Sequence, residues 1–222
     1  MADAPRTPPV RKRLSRQESQ ARTRTLLLEV AATEFLASGF TATSLERVAE
    51  TAGFSKGAVY ANFAGKEELC LAVLENHYFA LLQRFVGEFA AGGDTIEQRL
   101  AVLEQWWDVF LADEAWQLLA LEFAVQTRHN PKVQAQLVER ERMMRMAITA
   151  LLSQQIRQLG LTPVLPPDQL GVVLVAVVGG IAVQRLLDPT IPASLITDAV
   201  RALFRAPRSP DAAGGGVADR GK

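Results

Sequence analysis

Cysteine is nearly absent from this chain: Cys70 is the only one in 222 residues. An intrachain disulfide is therefore impossible. The apolar neighbours Leu69 and Leu71 predict a buried structural thiol rather than a redox sensor. Histidine is almost as scarce. His77 and His129 have no His or Cys partner at metal-ligand spacing, so no metal site is expected. Net charge is zero, so nothing pulls the chain as a whole toward nucleic acid. Alternating period-two segments joined by hairpin turns are missing, which predicts an all-α protein. No Gly-rich phosphate loop, Ser/His/acid arrangement or paired-carboxylate signature stands out, so neither catalysis nor a cofactor is expected. The first residues are basic but lack the apolar run of a secretory signal. The longest apolar run, Leu170 to Val183, is short and glycine-containing for a membrane span. A soluble cytoplasmic protein with no membrane partner is the expectation.

What is present is local asymmetry of charge and helical periodicity. Residues 6–24 hold Arg6, Arg11, Lys12, Arg13, Arg16, Arg22 and Arg24 against Glu18 alone. Pro5, Pro8 and Pro9 and the absence of an apolar period predict a disordered basic arm over 1–18. Such an arm is either a solvated tail or a phosphate and minor-groove contact. A first helix is expected over 20–38, buried through Leu27, Leu28, Ala31, Phe35 and Leu36 and stopped by Gly39. Arg22 and Arg24 near its start are placed to reach a DNA backbone.

The most informative stretch is TSLERVAETAGFSKGAVYANFAGKEELC, residues 43–70. Thr43 and Glu46 have capping-box spacing. Leu45, Val48, Ala49 and Ala52 fall on one helical face, and the small Ala49 allows close helix approach. Gly53 suits a left-handed C′ position, and Ser55 is placed to cap a second helix. Val59 and Phe63 give that helix a buried side. Lys56, Gly57, Tyr60 and Asn62 form its other side. The layout is either an ordinary αα-hairpin or a helix-turn-helix whose second helix enters the DNA major groove. The combination of small residue, Gly turn, Ser cap and exposed Lys and Tyr favours the second.

Lys66-Glu67-Glu68-Leu69 starts a long helix to about residue 90, with two acids suited to its N-terminus. Further helices are predicted over 95–112, 114–129, 131–159, 168–187 and 192–205, followed by a disordered glycine-rich tail over 206–222. The helix over 168–187 is apolar almost all round, so it must be buried on more than one side, by the chain's own helices and a second copy. Gly171, Gly179 and Gly180 each cost that helix about 1 kcal/mol relative to Ala, which close helix approach or room for a ligand would offset. Pocket candidates are Trp106, Trp107, Phe110, Trp116, Phe123, Met143, Met144 and Val177, with Gln126 to orient a polar group. Adjacent Trp106 and Trp107 differ by about 100° around a helix, so both are not expected to face one core.

The N-terminal third resembles the TetR family of bacterial transcriptional regulators. The residues that carry the resemblance are Phe35, Gly39-Phe40, Thr43-Ser44-Leu45, Val48-Ala49, Ala52-Gly53-Phe54-Ser55-Lys56-Gly57, Val59-Tyr60, Phe63 and Lys66-Glu67-Glu68-Leu69. It spans about residues 20–75. The resemblance implies a helix-turn-helix DNA-binding domain over 19–65 and a larger helical ligand-binding and dimerisation domain over 66–205. It implies a homodimeric, nucleoid-associated regulator, most simply a repressor on a palindromic double-stranded operator, released by a small apolar or aromatic effector. An adaptor of the same fold, controlled by a protein partner, is the alternative. Ser44, Ser55, Lys56, Gly57, Tyr60, Asn62 and Lys66 then belong to the DNA-binding set, with Arg22 and Arg24. Leu170, Leu174, Val178, Ile181, Leu195, Val200 and Leu203 belong to the dimer interface.

Overall fold

The computed structural model describes residues 15–205. Of the arm expected over 1–18, residues 1–14 lie outside them, as does the tail expected over 206–222, whereas residues 15–18 are not part of a disordered arm but begin α1. The described residues are almost wholly helical. In order they form α1 (Arg16–Ala42), α2 (Leu45–Thr51), α3 (Lys56–Tyr60), α4 (Lys66–Ala91), α5 (Ile96–Ala112), α6 (Glu114–Gln126), α7 (Pro131–Leu159), α8 (Pro167–Leu187) and α9 (Ser194–Ala202). Two-residue strands β1 (Thr162–Pro163) and β2 (Phe204–Arg205) pair antiparallel, the only strands among the described residues. The chain divides into two compact units, the first ending at Leu74 and the second beginning at Glu75. The division falls inside α4, not at its start.

In the first unit α1 begins earlier than its apolar period suggests. Ser15 caps it and Glu18 returns the bond, with Glu18 N–H donating to Ser15 Oγ at 3.2 Å and Ser15 N–H to Glu18 Oε2 at 2.7 Å. Gly39 breaks the helical path with φ +79°, a conformation that favours glycine. Leu27, Ala31, Phe35, Phe40, Val48, Val59, Phe63, Leu69 and Cys70 form the buried side of this unit. Glu34 is also buried, and Arg47 Nε meets its Oε2 at 2.6 Å while the Thr51 hydroxyl donates to Oε1 at 3.2 Å. That pairing ties α1 to α2.

The cap of α2 differs from its expected residue. Ser44, one position after Thr43, accepts from Arg47 N–H at 3.2 Å. Thr43 instead turns back and donates its hydroxyl to the Gly39 and Glu34 carbonyls, at 2.7 and 3.2 Å. Two adjacent hydroxyls compete for the cap, and the one buried against α1 takes the carbonyls. Gly53 (φ +71°) turns the chain, and Ser55 caps α3 by accepting from Ala58 N–H at 3.2 Å.

In the second unit α5, α7, α8 and α9 surround a core built from Phe89, Leu100, Leu103, Trp106, Trp107, Leu111, Leu174, Ala182, Ile196 and Val200. Thr95 and Gln98 form a capping box at α5, and Asn130 caps α7 before Pro131. Gly171 faces α7 so closely that a Cβ there would collide with Thr149 Oγ1. Close helix approach thus accounts for this glycine. Gly179 and Gly180 have nothing within 4 Å of a Cβ position, so packing within the chain does not explain them. By length and composition alone α1 and α8 are apolar enough to cross a membrane. For α8 the helix extends beyond the Leu170–Val183 run at both ends. It packs on α7 and α9, and Leu170 and Gly171 are buried there.

Candidate nucleic-acid interface and ligand cavity

α3 presents its outer side to solvent. Lys56, Gly57 and Tyr60 are exposed, Tyr60 by 55%. Lys56 Nζ is held by Glu46 Oε1 of α2 at 3.1 Å, with both side chains at least half exposed. The Glu46 carboxyl sits below its usual pKa, held by its own backbone N–H and then by Lys56. This pair spans the turn between α2 and α3. It places an ammonium beside the exposed face of α3, where a phosphate would compete with Glu46 for it.

The other members of the DNA-binding set divide by what already occupies them. Arg22 is exposed. Arg24 donates Nη1 to the Asn62 carbonyl at 2.7 Å and lies 4.2 Å above the Phe63 ring, so its guanidinium anchors α1 to the end of α3. Asn62 Nδ2 donates back to the Ala58 carbonyl at 2.8 Å. Lys66 Nζ donates to the Phe40 and Thr41 carbonyls at 3.0 and 3.2 Å and sits 4.5 Å from the Phe40 ring centroid. Ser44 and Ser55 are helix caps. Lys56, Gly57, Tyr60 and Arg22 therefore remain outward, while Arg24, Asn62 and Lys66 hold the unit together.

The second unit contains a cavity of about 350 Å³. Its wall draws on α4 through Tyr78, Leu81, Phe85 and Phe89, and on α5 through Arg99, Leu103, Trp106, Trp107 and Phe110. α7 contributes Arg140, Met144, Ile148, Leu151 and Gln155, α8 contributes Leu174 and Val178, and Ala120, Leu161, Val200 and Phe204 also border it. The aromatic side chains pack on one another: Phe85 and Trp106 centroids are 4.7 Å apart, and Trp106 and Phe110 stack at 5.3 Å. Trp106 and Trp107 are both buried and both border the cavity, edge to face at 5.2 Å and 83°. The 100° between them is accommodated because the apolar surroundings wrap α5 on more than one side. A volume of this size with apolar and aromatic walls suits a small organic molecule.

Of the nine pocket candidates, Trp106, Trp107, Phe110 and Met144 line the cavity, and Trp116, Phe123, Gln126, Met143 and Val177 do not. Trp116 stacks on His77 at 3.7 Å and 8°. Phe123 is fully buried, Gln126 is exposed, and Met143 is 57% exposed. Burial lowers the His77 pKa, with Asp113 acting in the opposite direction. Burial likewise raises the Tyr78 hydroxyl pKa, opposed by Arg140. Arg99 and Gln155 were missed as wall residues. Arg99 falls on one helical stripe with Leu103, Trp106 and Phe110, and Gln155 on one with Ile148, Leu152 and Leu159. That register was the available signal.

The dimer candidates also divide. Leu170 and Val200 are buried within the chain, and Leu174, Val178 and Val200 border the cavity. Ile181 and Leu203 pack partly buried against the core, whereas Leu195 is 45% exposed. The apolar side that α8 leaves exposed runs instead through Val172, Ala176, Val183 and Leu187.

Together these features define a helix-turn-helix protein with a second helical unit that holds a half-open apolar cavity. Residues 27–73 match the model of the bacterial regulatory proteins of the tetR family. The match covers the helix-turn-helix unit, so residues 27–73 form a DNA-binding domain of the tetR type. No curated protein sequence matches it. Among solved structures, reduced NemR of E. coli superposes with TM-score 0.65 at 22% identity, over 84% of this chain and 100% of that one. The complex of SmeT with triclosan gives 0.64 at 21%, over 89% and 100%. SmeT is the repressor of the Stenotrophomonas maltophilia multidrug efflux pump SmeDEF. GusR of Salmonella enterica gives 0.64 at 18%, over 82% and 95%. At these identities the likeness is one of fold.

Proposed function

We propose that this chain is a ligand-responsive repressor that binds a palindromic double-stranded DNA operator as a homodimer and is released by a small apolar or aromatic effector. The observation that carries the reading is the cavity in the second unit. Its wall includes α4 through Tyr78, Leu81, Phe85 and Phe89, and the first turns of that same helix belong to the DNA-binding unit. An occupant that prefers one disposition of α4 therefore shifts the population competent for DNA. That SmeT, a repressor of the same fold, has been solved with triclosan supports an organic effector. The cavity also favours this reading over control by a protein partner.

In the proposed complex α3 lies in the major groove, with Lys56 and Tyr60 outermost. Lys56 exchanges Glu46 for a phosphate or for guanine O6 and N7. Tyr60 donates to a phosphate or packs on a thymine methyl group. Gly57, Ala58 and Ala61 offer no side-chain donors, so DNA shape carries part of the specificity. Half-sites lie about 34–36 Å apart or somewhat further. The second copy packs on the exposed side of α8 at Val172, Val183 and Leu187 and on Leu195 of α9. The protein works in the cytoplasm, at the nucleoid. The test is selection of genomic fragments by the full chain. A symmetric motif should be enriched, and Lys56→Ala with Tyr60→Ala should lose it. Enrichment without symmetry, or no loss in the double variant, overturns the proposal.

A further inference from the structure

The cavity wall is apolar, yet its few polar groups are unbalanced in a way that specifies the occupant. Arg99 is 6% exposed. Its Nη1 donates to the Phe89 carbonyl at 3.1 Å and its guanidinium lies 5.7 Å from the Phe89 ring, but its Nε has no partner. Among the described residues no carboxylate lies within 4.0 Å of it. The other arginine of the wall, Arg140, is paired with Glu141 at 3.2 Å, so Glu141 does not serve Arg99. Trp106 and Trp107, each 8% exposed, also leave their indole N–H groups without partners. Gln155, 5% exposed, leaves only its Oε1 unpaired. The wall thus holds four unsatisfied donors, on Arg99, Trp106, Trp107 and the Nη1 of Arg140, and in Arg99 a positive charge without a counter-ion, against one unsatisfied acceptor on Gln155.

Buried donors and a buried cation without a counter-ion are costly unless a partner fills them. A carboxylate is acceptor-only, with about four lone-pair sites, and pairs well with a guanidinium in a dry site. The remaining wall is aromatic and aliphatic. We infer that the cavity takes an amphipathic organic anion, an aliphatic or aromatic carboxylic acid whose carboxylate pairs with Arg99 while its body fills the space among Phe85, Trp106 and Phe110. The inference rests on the reading of the cavity as an effector site and names the chemical class of that effector.

The test compares sodium decanoate with 1-decanol on the full chain, below the concentration at which either aggregates. Binding is followed by calorimetry and tryptophan fluorescence, since Trp106 and Trp107 border the cavity. Decanoate should bind wild type roughly tenfold tighter or more, as expected for a charge-assisted hydrogen bond. Arg99→Met should erase that preference while still binding decanol, and Arg99→Lys should keep part of it. Circular dichroism establishes that the variants fold. The wild-type comparison needs no variant, so an unfolded Arg99→Met leaves the inference exposed to refutation. Decanol binding as tightly as decanoate would overturn the anionic class and leave the effector cavity standing. A preference unchanged in Arg99→Met would overturn the assignment to Arg99. Binding of neither probe, and of none of naphthalene, biphenyl and indole tested alongside them, would overturn both the inference and the cavity reading beneath it.

Discussion

Replacing Lys66 with Ala separates two roles that the same residue was able to fill. In the family resemblance Lys66 belongs to the DNA-binding set. In the structure its ammonium donates to two main-chain carbonyls at the end of α1, Phe40 at 3.0 Å and Thr41 at 3.2 Å, and lies over the Phe40 ring. A charge-assisted hydrogen bond contributes about 1.5–3 kcal/mol, with the lower figure apt where the acceptor is exposed, as at Thr41. The cation–π contact adds about 0.5–1 kcal/mol. Against these stands the entropy of holding a lysine side chain, about 1.5–2 kcal/mol. A net loss of about 2 kcal/mol follows for Lys66→Ala, or a melting point lower by roughly 4–8 °C. The assay is thermal unfolding of both proteins, together with operator affinity across a salt series. The slope of log affinity against log salt should be unchanged, because each phosphate contact removed would reduce it by about 0.9. An unchanged melting point with a slope reduced by about one unit would refute the structural role and restore Lys66 to the DNA contacts.

Three further outcomes follow from named contacts. Glu46→Gln releases Lys56 from its carboxylate partner, so operator affinity should rise about two- to fivefold at low salt, measured by fluorescence anisotropy; a fall would show that Glu46 positions Lys56 instead of competing for it. Burial lowers the His77 pKa from its ordinary 6.5, so the unfolded chain takes up the proton first as pH falls. Stability from this group is therefore complete above about pH 6.5 and is lost as pH drops through the folded value; His77→Phe, which keeps a ring against Trp116, should melt with a shallower pH dependence, and a steeper one would contradict the assignment. Gly171→Val forces two further heavy-atom branches against Thr149 and should destabilise by about 1–3 kcal/mol in denaturant titration; a gain in stability would mean that α7 and α8 do not approach as closely as described.

The helix-turn-helix was legible in sequence because its signals are local. Gly53 and Ser55 mark the turn and cap within a few residues of one another, and both residues occupy those positions. The shift of the α2 cap from Thr43 to Ser44 was not legible, because it depends on α1 carbonyls some residues upstream. For the same reason Arg24 and Lys66 read as free cations: charge and helix position are visible in sequence, while a distant carbonyl acceptor is not. In the cavity, Trp106, Phe110 and Met144 followed from helical stripes. Trp116 and Phe123 lie on equally apolar stripes of α6, but they are turned to His77 and to the core. Arg99 was passed over because a single arginine near a helix start usually lies in water. Only its register with Leu103 and Trp106 hinted otherwise.

The central claim is that occupancy of the cavity controls DNA binding. The measurement that tests it most directly is operator affinity, by anisotropy, with and without the strongest-binding member of a library of apolar acids and aromatics. It is made on wild type and on Val178→Trp, which fills part of the cavity. The account predicts at least about tenfold weaker operator binding on ligand addition to wild type, equivalent to about 1.4 kcal/mol of coupling, and no response in Val178→Trp. Undiminished operator binding by ligand-saturated wild type, or equal release of the filled variant, would contradict it.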